Sequence, residues 1–122
     1  MNVSKLNVSS LDPTMRRVIE AAQEKKATDI IILDLAGLTS FTDYFLICSG
    51  TNHRQLRSIS DEIQSSLSKL QTKPAHVEGH PQGEWILIDY IDFVVHIFTP
   101  TSRCYYDLER LWGDAKKLTV VS

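Results

Sequence analysis

Apolar positions along this chain change their spacing several times, and each change marks an element. Met15, Val18, Ile19 and Ala22 recur at helical spacing behind Asp12-Pro13, an acid that can cap a helix and a proline suited to its first turn. Lys25 and Lys26 stand where a helix C-terminus favours cations. Residues 29–35 (DIIILDL) are then almost wholly apolar and β-branched, as a buried strand would be, and Gly37 ends them. A second strand is predicted over residues 44–48 and is broken by Ser49-Gly50-Thr51. Leu56, Ile59, Ile63, Leu67 and Leu70 keep to one stripe, which predicts a long amphipathic helix over about 52–70, capped by Thr51 or Asn52. Residues 71–83 (QTKPAHVEGHPQG) place prolines and glycines around a short strand at 75–78.

The strongest pattern follows, in residues 84–112 (EWILIDYIDFVVHIFTPTSRCYYDLERLW), around which the rest is organised. Two apolar runs meet at Ile91-Asp92, and a turn there pairs Tyr90 with Phe93, Asp89 with Val94, Leu87 with His96, and Trp85 with Phe98. One face then carries Ile86, Ile88, Tyr90, Phe93, Val95 and Ile97 and needs covering by helices. The other carries Trp85, Leu87, Asp89, Val94, His96 and Phe98. Two readings of that mixed face stay open: Asp89 and His96, as diagonal neighbours, satisfy each other under a loop, or the face meets a partner. The register has one local objection, since a tight hairpin turn wants positive φ at its first central residue, where a β-branched side chain such as Ile91 is costly. Thr99-Pro100 repeats the cap-plus-proline device and opens a helix over residues 100–112, with Gly113 just past its end. Its apolar stripe is either Cys104, Leu108 and Leu111 or Tyr105, Leu108 and Trp112. Arg103 can pair with Asp107, and Tyr106 can approach Arg110.

Length and composition narrow the class. The 122 residues suit one domain, placed at 12–117, with a poorly ordered lead over 1–11 and a tail over 118–122; residues 114–122 carry no clear signal. Thirteen basic against fifteen acidic side chains leave a formal charge of −2, which removes the broad positive surface that backbone-driven nucleic-acid binders need. Cys48 and Cys104 are far apart and outside any CxxC spacing, so both read as buried apolar thiols of a reducing compartment rather than a disulfide. Without a signal core, an organelle presequence pattern or a long apolar run, a cytoplasmic location and no membrane contact are expected. His76, Glu78 and His80 alternate along one side of an extended segment, but zinc would need further ligands from elsewhere, so no metal is expected.

Read together, TDYFLICSG, the VEG of residues 77–79, WILIDY, VVHIF and R-x-YYDLERLW resemble the Iojap/YbeB family of ribosomal silencing factors, across roughly residues 15–117. The resemblance implies an α/β fold with a single mixed five-stranded sheet flanked by helices, similar to nucleotidyltransferases; this agrees with the α-β-β-α-β-β-β-α order read above. It also implies a function: binding the large ribosomal subunit through a ribosomal protein on its subunit-joining face, which blocks the small subunit sterically and represses translation when nutrients are short. Motif by motif, the partner surface falls on Trp85, Asp89 and His96, with Glu78, Arg103, Tyr106 and Glu109 nearby. Little direct nucleic-acid contact is expected, and the same aromatic face could form a homodimer when free. Family members often carry glycine where this chain has Ile91, which singles out the 90–93 turn.

Two alternatives accompany this reading. One is a large-subunit assembly factor, which sequence does not separate from a silencing factor. The other is an enzyme resembling the nucleotidyltransferases, which hold phosphates on a Gly-Ser turn and two metal ions on paired acids. Here Ser49-Gly50-Thr51 reverses that order, Asp43 precedes its strand alone, and Asp89 and Asp92 face opposite sides of a strand. Neither catalysis nor a cofactor is expected.

Overall fold

A computed structural model describes residues 3–6, 12–79 and 84–120, the first of these segments in backbone only. Six strands lie between residues 28 and 120, and Val3–Leu6 adds a seventh at the edge of one mixed sheet. In chain order they are β1 (Val3–Leu6), β2 (Thr28–Asp34), β3 (Tyr44–Ser49), β4 (His76–Gly79), β5 (Trp85–Asp89), β6 (Phe93–Phe98) and β7 (Lys116–Val120). The spatial order is β1-β7-β2-β3-β6-β5-β4, with β1–β7 and β3–β6 parallel and the other neighbours antiparallel. The five strands expected from the sequence are β2 to β6. The two outside that reading come from the predicted lead and tail, which the sheet recruits by backbone pairing.

The first layer of helices forms as the pattern predicts. Helix α1 (Pro13–Glu24) starts where Asp12 Oδ2 accepts the N–H groups of Thr14 and Met15, and helix α2 (His53–Lys69) starts where Asn52 accepts the N–H of Gln55. Gln55 also accepts from Thr51 and donates to the carbonyls of Lys25 and Lys26, which ties the start of α2 to the end of α1. Gly50 lets α2 begin this close to β3, because a Cβ there would meet Leu56 Cδ1 at 2.9 Å. The stripes of α1 and α2 bury Val18, Ile19, Leu56, Ile59 and Ile63 against Ile88, Tyr90, Phe93, Val95 and Ile97 of the sheet. The helix-covered face of the hairpin is therefore the one the alternation assigned to it.

The opposite face is covered as well. Ile31, Leu33, Leu35, Phe45, Ile47, Val94 and Phe98 form a second apolar layer, against which Leu108 and Trp112 pack. Both belong to the second of two short helices that replace the single helix predicted over 100–112, α3 (Pro100–Tyr106) and α4 (Leu108–Leu111), with Trp112 the C-cap residue of α4. Asp107 separates them at φ 48°, a left-handed conformation that aspartate tolerates better than most residues. No helix among the described residues is long and apolar enough to cross a membrane.

Candidate functional site

The β5–β6 hairpin has the register read from the sequence, with Trp85 opposite Phe98, Leu87 opposite His96 and Asp89 opposite Val94. The objection at Ile91 is met by accepting the strain: Ile91 adopts φ 73°, with Tyr90 N–H donating to Phe93 O and Asp92 N–H donating back to Tyr90 O, both at 2.9 Å. Asp89 is engaged in this turn. Its Oδ1 accepts the N–H of Ile91 at 2.7 Å, so it does not pair with His96.

His96 lies in the middle of the second apolar layer, only 3% exposed, and is not itself a surface anchor. Its Nδ1 accepts the indole N–H of Trp85 at 3.2 Å, while its Nε2 has no hydrogen-bond partner among the described residues. Burial lowers its pKa to about 3, so the ring is neutral at physiological pH. Trp85 is half-buried and sits between three rings: Tyr106 at 4.6 Å, Phe98 at 5.1 Å and His96 at 5.8 Å between centroids. On the other side of His96, Phe45 stands edge-on at 4.4 Å and leads to Trp112 and the exposed Phe41. A continuous aromatic layer thus runs under α3 and α4 and surfaces at both ends.

Arg103 and Glu109 are drawn inward. Arg103 Nε donates to Glu109 Oε1 at 2.8 Å, and its Nη1 reaches the carbonyl of Asp29 at 2.7 Å and Ser49 Oγ at 2.8 Å; Lys117 Nζ donates to the other oxygen of Glu109 at 3.1 Å. The expected pair of Arg103 with Asp107 does not form, because Asp107 is the left-handed break and only that break brings Glu109 round to Arg103. Burial opposes ionisation of Glu109, but the hydrogen bonds from Arg103 and Lys117 outweigh it and hold the carboxyl below its usual range. Glu78 lies on the exposed edge strand β4, where it pairs with His76 Nε2 at 2.9 Å; His80 lies outside the described residues. Cys104 is exposed rather than buried, whereas Cys48 is buried and its thiol is pushed up to about 12 by desolvation.

Of the residues on the outer side of α3–α4, the sequence singles out Tyr106 alone as a partner contact. Tyr105 is 80% exposed and Leu111 71%, and with Cys104, Tyr106, Asp107 and Arg110 they line a shallow depression of about 570 Å³. Aromatic and arginine side chains on one patch are the composition that protein interfaces favour. A second depression, of about 460 Å³, brings Asp43 and Asp92 together with Asp12, Tyr44, Thr72 and Tyr90. Asp43 is therefore not alone, but no three of the described His, Cys, Asp and Glu residues are placed to hold a metal ion. The Ser49 hydroxyl of the possible phosphate turn is already held by Arg103.

The family described as "Ribosomal silencing factor during starvation" matches residues 8–122. The chain belongs to that family. It is 41% identical to the ribosomal silencing factor RsfS of Bacillus subtilis over 95 residues, covering 78% of this chain and 80% of that one. It is 37% identical to the RsfS of Halalkalibacterium halodurans over 101 residues, covering 83% and 86%. Among solved structures, a Chromobacterium violaceum protein superposes with a TM-score of 0.79 at 35% identity, covering 88% of each chain. For ribosomal silencing factors of this kind the name denotes regulation of translation rather than a reaction.

Proposed function

We propose that this protein binds the large ribosomal subunit through a ribosomal protein on its subunit-joining face and sterically blocks association with the small subunit, repressing translation when nutrients are scarce. Family membership over nearly the whole chain carries this reading. Exposure and composition support a location for the contact. The middle of both sheet faces is covered, so we take the docking surface to be the exposed outer side of α3–α4, with Tyr105, Tyr106, Arg110 and Leu111, together with the half-buried edge of Trp85. Arg103, Glu109 and His96 support it from within. Asp89 and Glu78, on the neighbouring strands β5 and β4, stand on the same sheet face as Trp85 and are proposed as outlying contacts. A net charge of −2 supports a contact made to protein rather than to nucleic-acid backbone.

Sedimentation tests the proposal. The protein should travel with isolated large subunits and, as its concentration rises, shift a mixture of subunits away from joined particles. Equal binding to joined ribosomes with no loss of joining would overturn the blocking mechanism. A second reading, assembly of the large subunit, draws on a mouse relative named "Mitochondrial assembly of ribosomal large subunit protein 1", 28% identical over 78% of this chain and 43% of that one. In that case depletion of the protein would accumulate immature large subunits under nutrient-rich growth. A homodimer through the same aromatic surface would compete with ribosome binding, and would be seen as concentration-dependent sedimentation of the free protein.

A further inference from the structure

We propose that His96 is a positioning residue for the docking surface: by accepting the indole N–H of Trp85 at Nδ1, it sets the orientation of the indole on which Tyr106 rests. This builds on the docking reading above and assigns a task to a polar group that reading leaves unused. An imidazole in the middle of an aromatic layer is an expensive choice. Its Nε2 has no partner among the described residues, and a phenyl or isobutyl group would fill the space without leaving a buried donor unsatisfied. What the imidazole supplies and those groups lack is a single acceptor, and that acceptor is used, at 3.2 Å, by Trp85.

The chemistry of the pair fixes its protonation. An indole nitrogen only donates, so Nδ1 must carry a lone pair and the ring proton must sit on Nε2. An imidazolium would set N–H against N–H, and desolvation independently holds the ring neutral, with its pKa lowered to about 3. The cross-strand register makes the contact possible, since His96 faces Leu87 and lies diagonally across the same face from Trp85, within reach of a long aromatic side chain. The indole, drawn along the sheet toward His96, then offers a ring to Tyr106 at 4.6 Å and to Phe98 at 5.1 Å. Without the acceptor, the indole N–H is satisfied only by turning toward solvent, which removes the platform beneath Tyr106.

The test uses His96→Leu, which deletes the acceptor, and His96→Asn, whose side-chain oxygen falls near the place of Nδ1. Both are made in the wild-type background and in Trp85→Phe, which has no indole donor. The readouts are hydrogen exchange of the Trp85 indole N–H, with the two tryptophan signals assigned by Trp112→Phe, and affinity for isolated large subunits. His96→Leu should speed indole exchange and weaken binding, each by about tenfold, while His96→Asn restores both to within about threefold. In the Trp85→Phe background His96→Leu should have no further effect on binding, because the pair acts as one unit. An equal loss in both backgrounds, or a His96→Leu variant that binds as the wild type does, overturns the role of His96. Should His96→Leu fail to fold, His96→Asn decides: full indole protection with wild-type binding supports the role, and rapid exchange with wild-type binding overturns it. Wild-type protein that does not bind large subunits overturns the docking reading itself, a result distinct from any of these.

Discussion

Replacing Ile91 with glycine should stabilise this protein, against the usual direction of a large-to-small substitution. Ile91 holds φ 73°, where a β-branched side chain is strained by about 1–3 kcal/mol, and it holds this value because the turn is fixed from several sides. Tyr90 N–H, Ile91 N–H and Asp92 N–H are all donated within the turn, and Asp92 O accepts the N–H of Asp43, the residue just before β3, at 3.1 Å. Glycine keeps each of these bonds, because they involve only the backbone and Asp89. Against the relief stand two losses. Glycine adds about 0.5–1 kcal/mol of unfolded-state entropy, and the Ile91 side chain, 63% exposed, forfeits on the order of 0.5–1 kcal/mol of burial. The balance favours glycine by about 0.5–1 kcal/mol, or roughly 2–5 °C in Tm for a chain of this size. Urea unfolding of Ile91→Gly, Ile91→Asn and Ile91→Ala should rank Gly first, Asn second and Ala close to wild type. A glycine variant less stable than wild type by more than about 0.5 kcal/mol would refute the reasoning, since it would mean that the side chain packs or that the turn is not left-handed at this position.

The remaining predictions address the two layers and the surface. Ile88→Ala, fully buried under α1 and α2, should cost about 2–5 kcal/mol in urea unfolding, whereas Tyr105→Ala should change stability by less than about 0.5 kcal/mol and weaken large-subunit binding by about 1–2 kcal/mol; comparable stability losses in both would remove Tyr105 from the surface. Arg103→Ala should destabilise by about 2–3 kcal/mol, because Glu109, Ser49 and the Asp29 carbonyl lose their shared donor; a loss below about 1 kcal/mol would show the network to be solvated. Acidification should weaken the fold, since His96 is neutral when folded and protonates in the unfolded chain, so the unfolded state binds more protons below pH 6.5. Between pH 6.5 and 4.5 roughly 2–3 kcal/mol should disappear in the wild type and most of that slope should vanish in His96→Leu; an unchanged slope would place its origin elsewhere. Large-subunit binding should fall only mildly from 50 to 200 mM salt, where a protein making 6–10 phosphate contacts loses about 10³–10⁵ in affinity.

How far the fold could be read from sequence depended on whether an element carries its own period. Helices α1 and α2 and strands β2, β3, β5 and β6 do, and each was found within a residue or two, with Asp12 and Asn52 capping as expected. Strands β1 and β7 do not. Val3–Leu6 and Lys116–Val120 are short and mixed, and what makes them strands is the edge that β2 offers to β7 and β7 in turn offers to β1. At the site, register and face assignment followed from alternation alone, which placed Trp85 and His96 together. Which atoms would pair did not follow. Asp89 and His96 look matched by charge and proximity, but Asp89 is nearer its own turn, whose Ile91 N–H needs an acceptor, and His96 is nearer an indole. The break at Asp107 left almost no trace in the helical pattern, since aspartate is common enough inside helices, and with it went the placement of Arg103, Glu109 and Cys104.

That break also explains how one short segment both covers the sheet and keeps an outer patch exposed. In an uninterrupted helix, residues 103 and 109 would lie about 120° apart around the axis and about 9 Å apart along it, on different faces. The left-handed turn at Asp107 resets the repeat, so Glu109 closes onto Arg103 at 2.8 Å and, through Lys117, onto β7. With that clasp formed, Leu108 and Trp112 pack into the second apolar layer while Tyr105, Arg110 and Leu111 remain outside. The clasp joins α4 to α3, to the start of β2, to the end of β3 and to β7, and the outer patch is therefore carried on the rigid sheet rather than on a free terminal segment. A surface presented this way would lose little conformational entropy on binding, which is what the proposed docking patch, of modest size and slight charge, would need in order to hold a partner tightly.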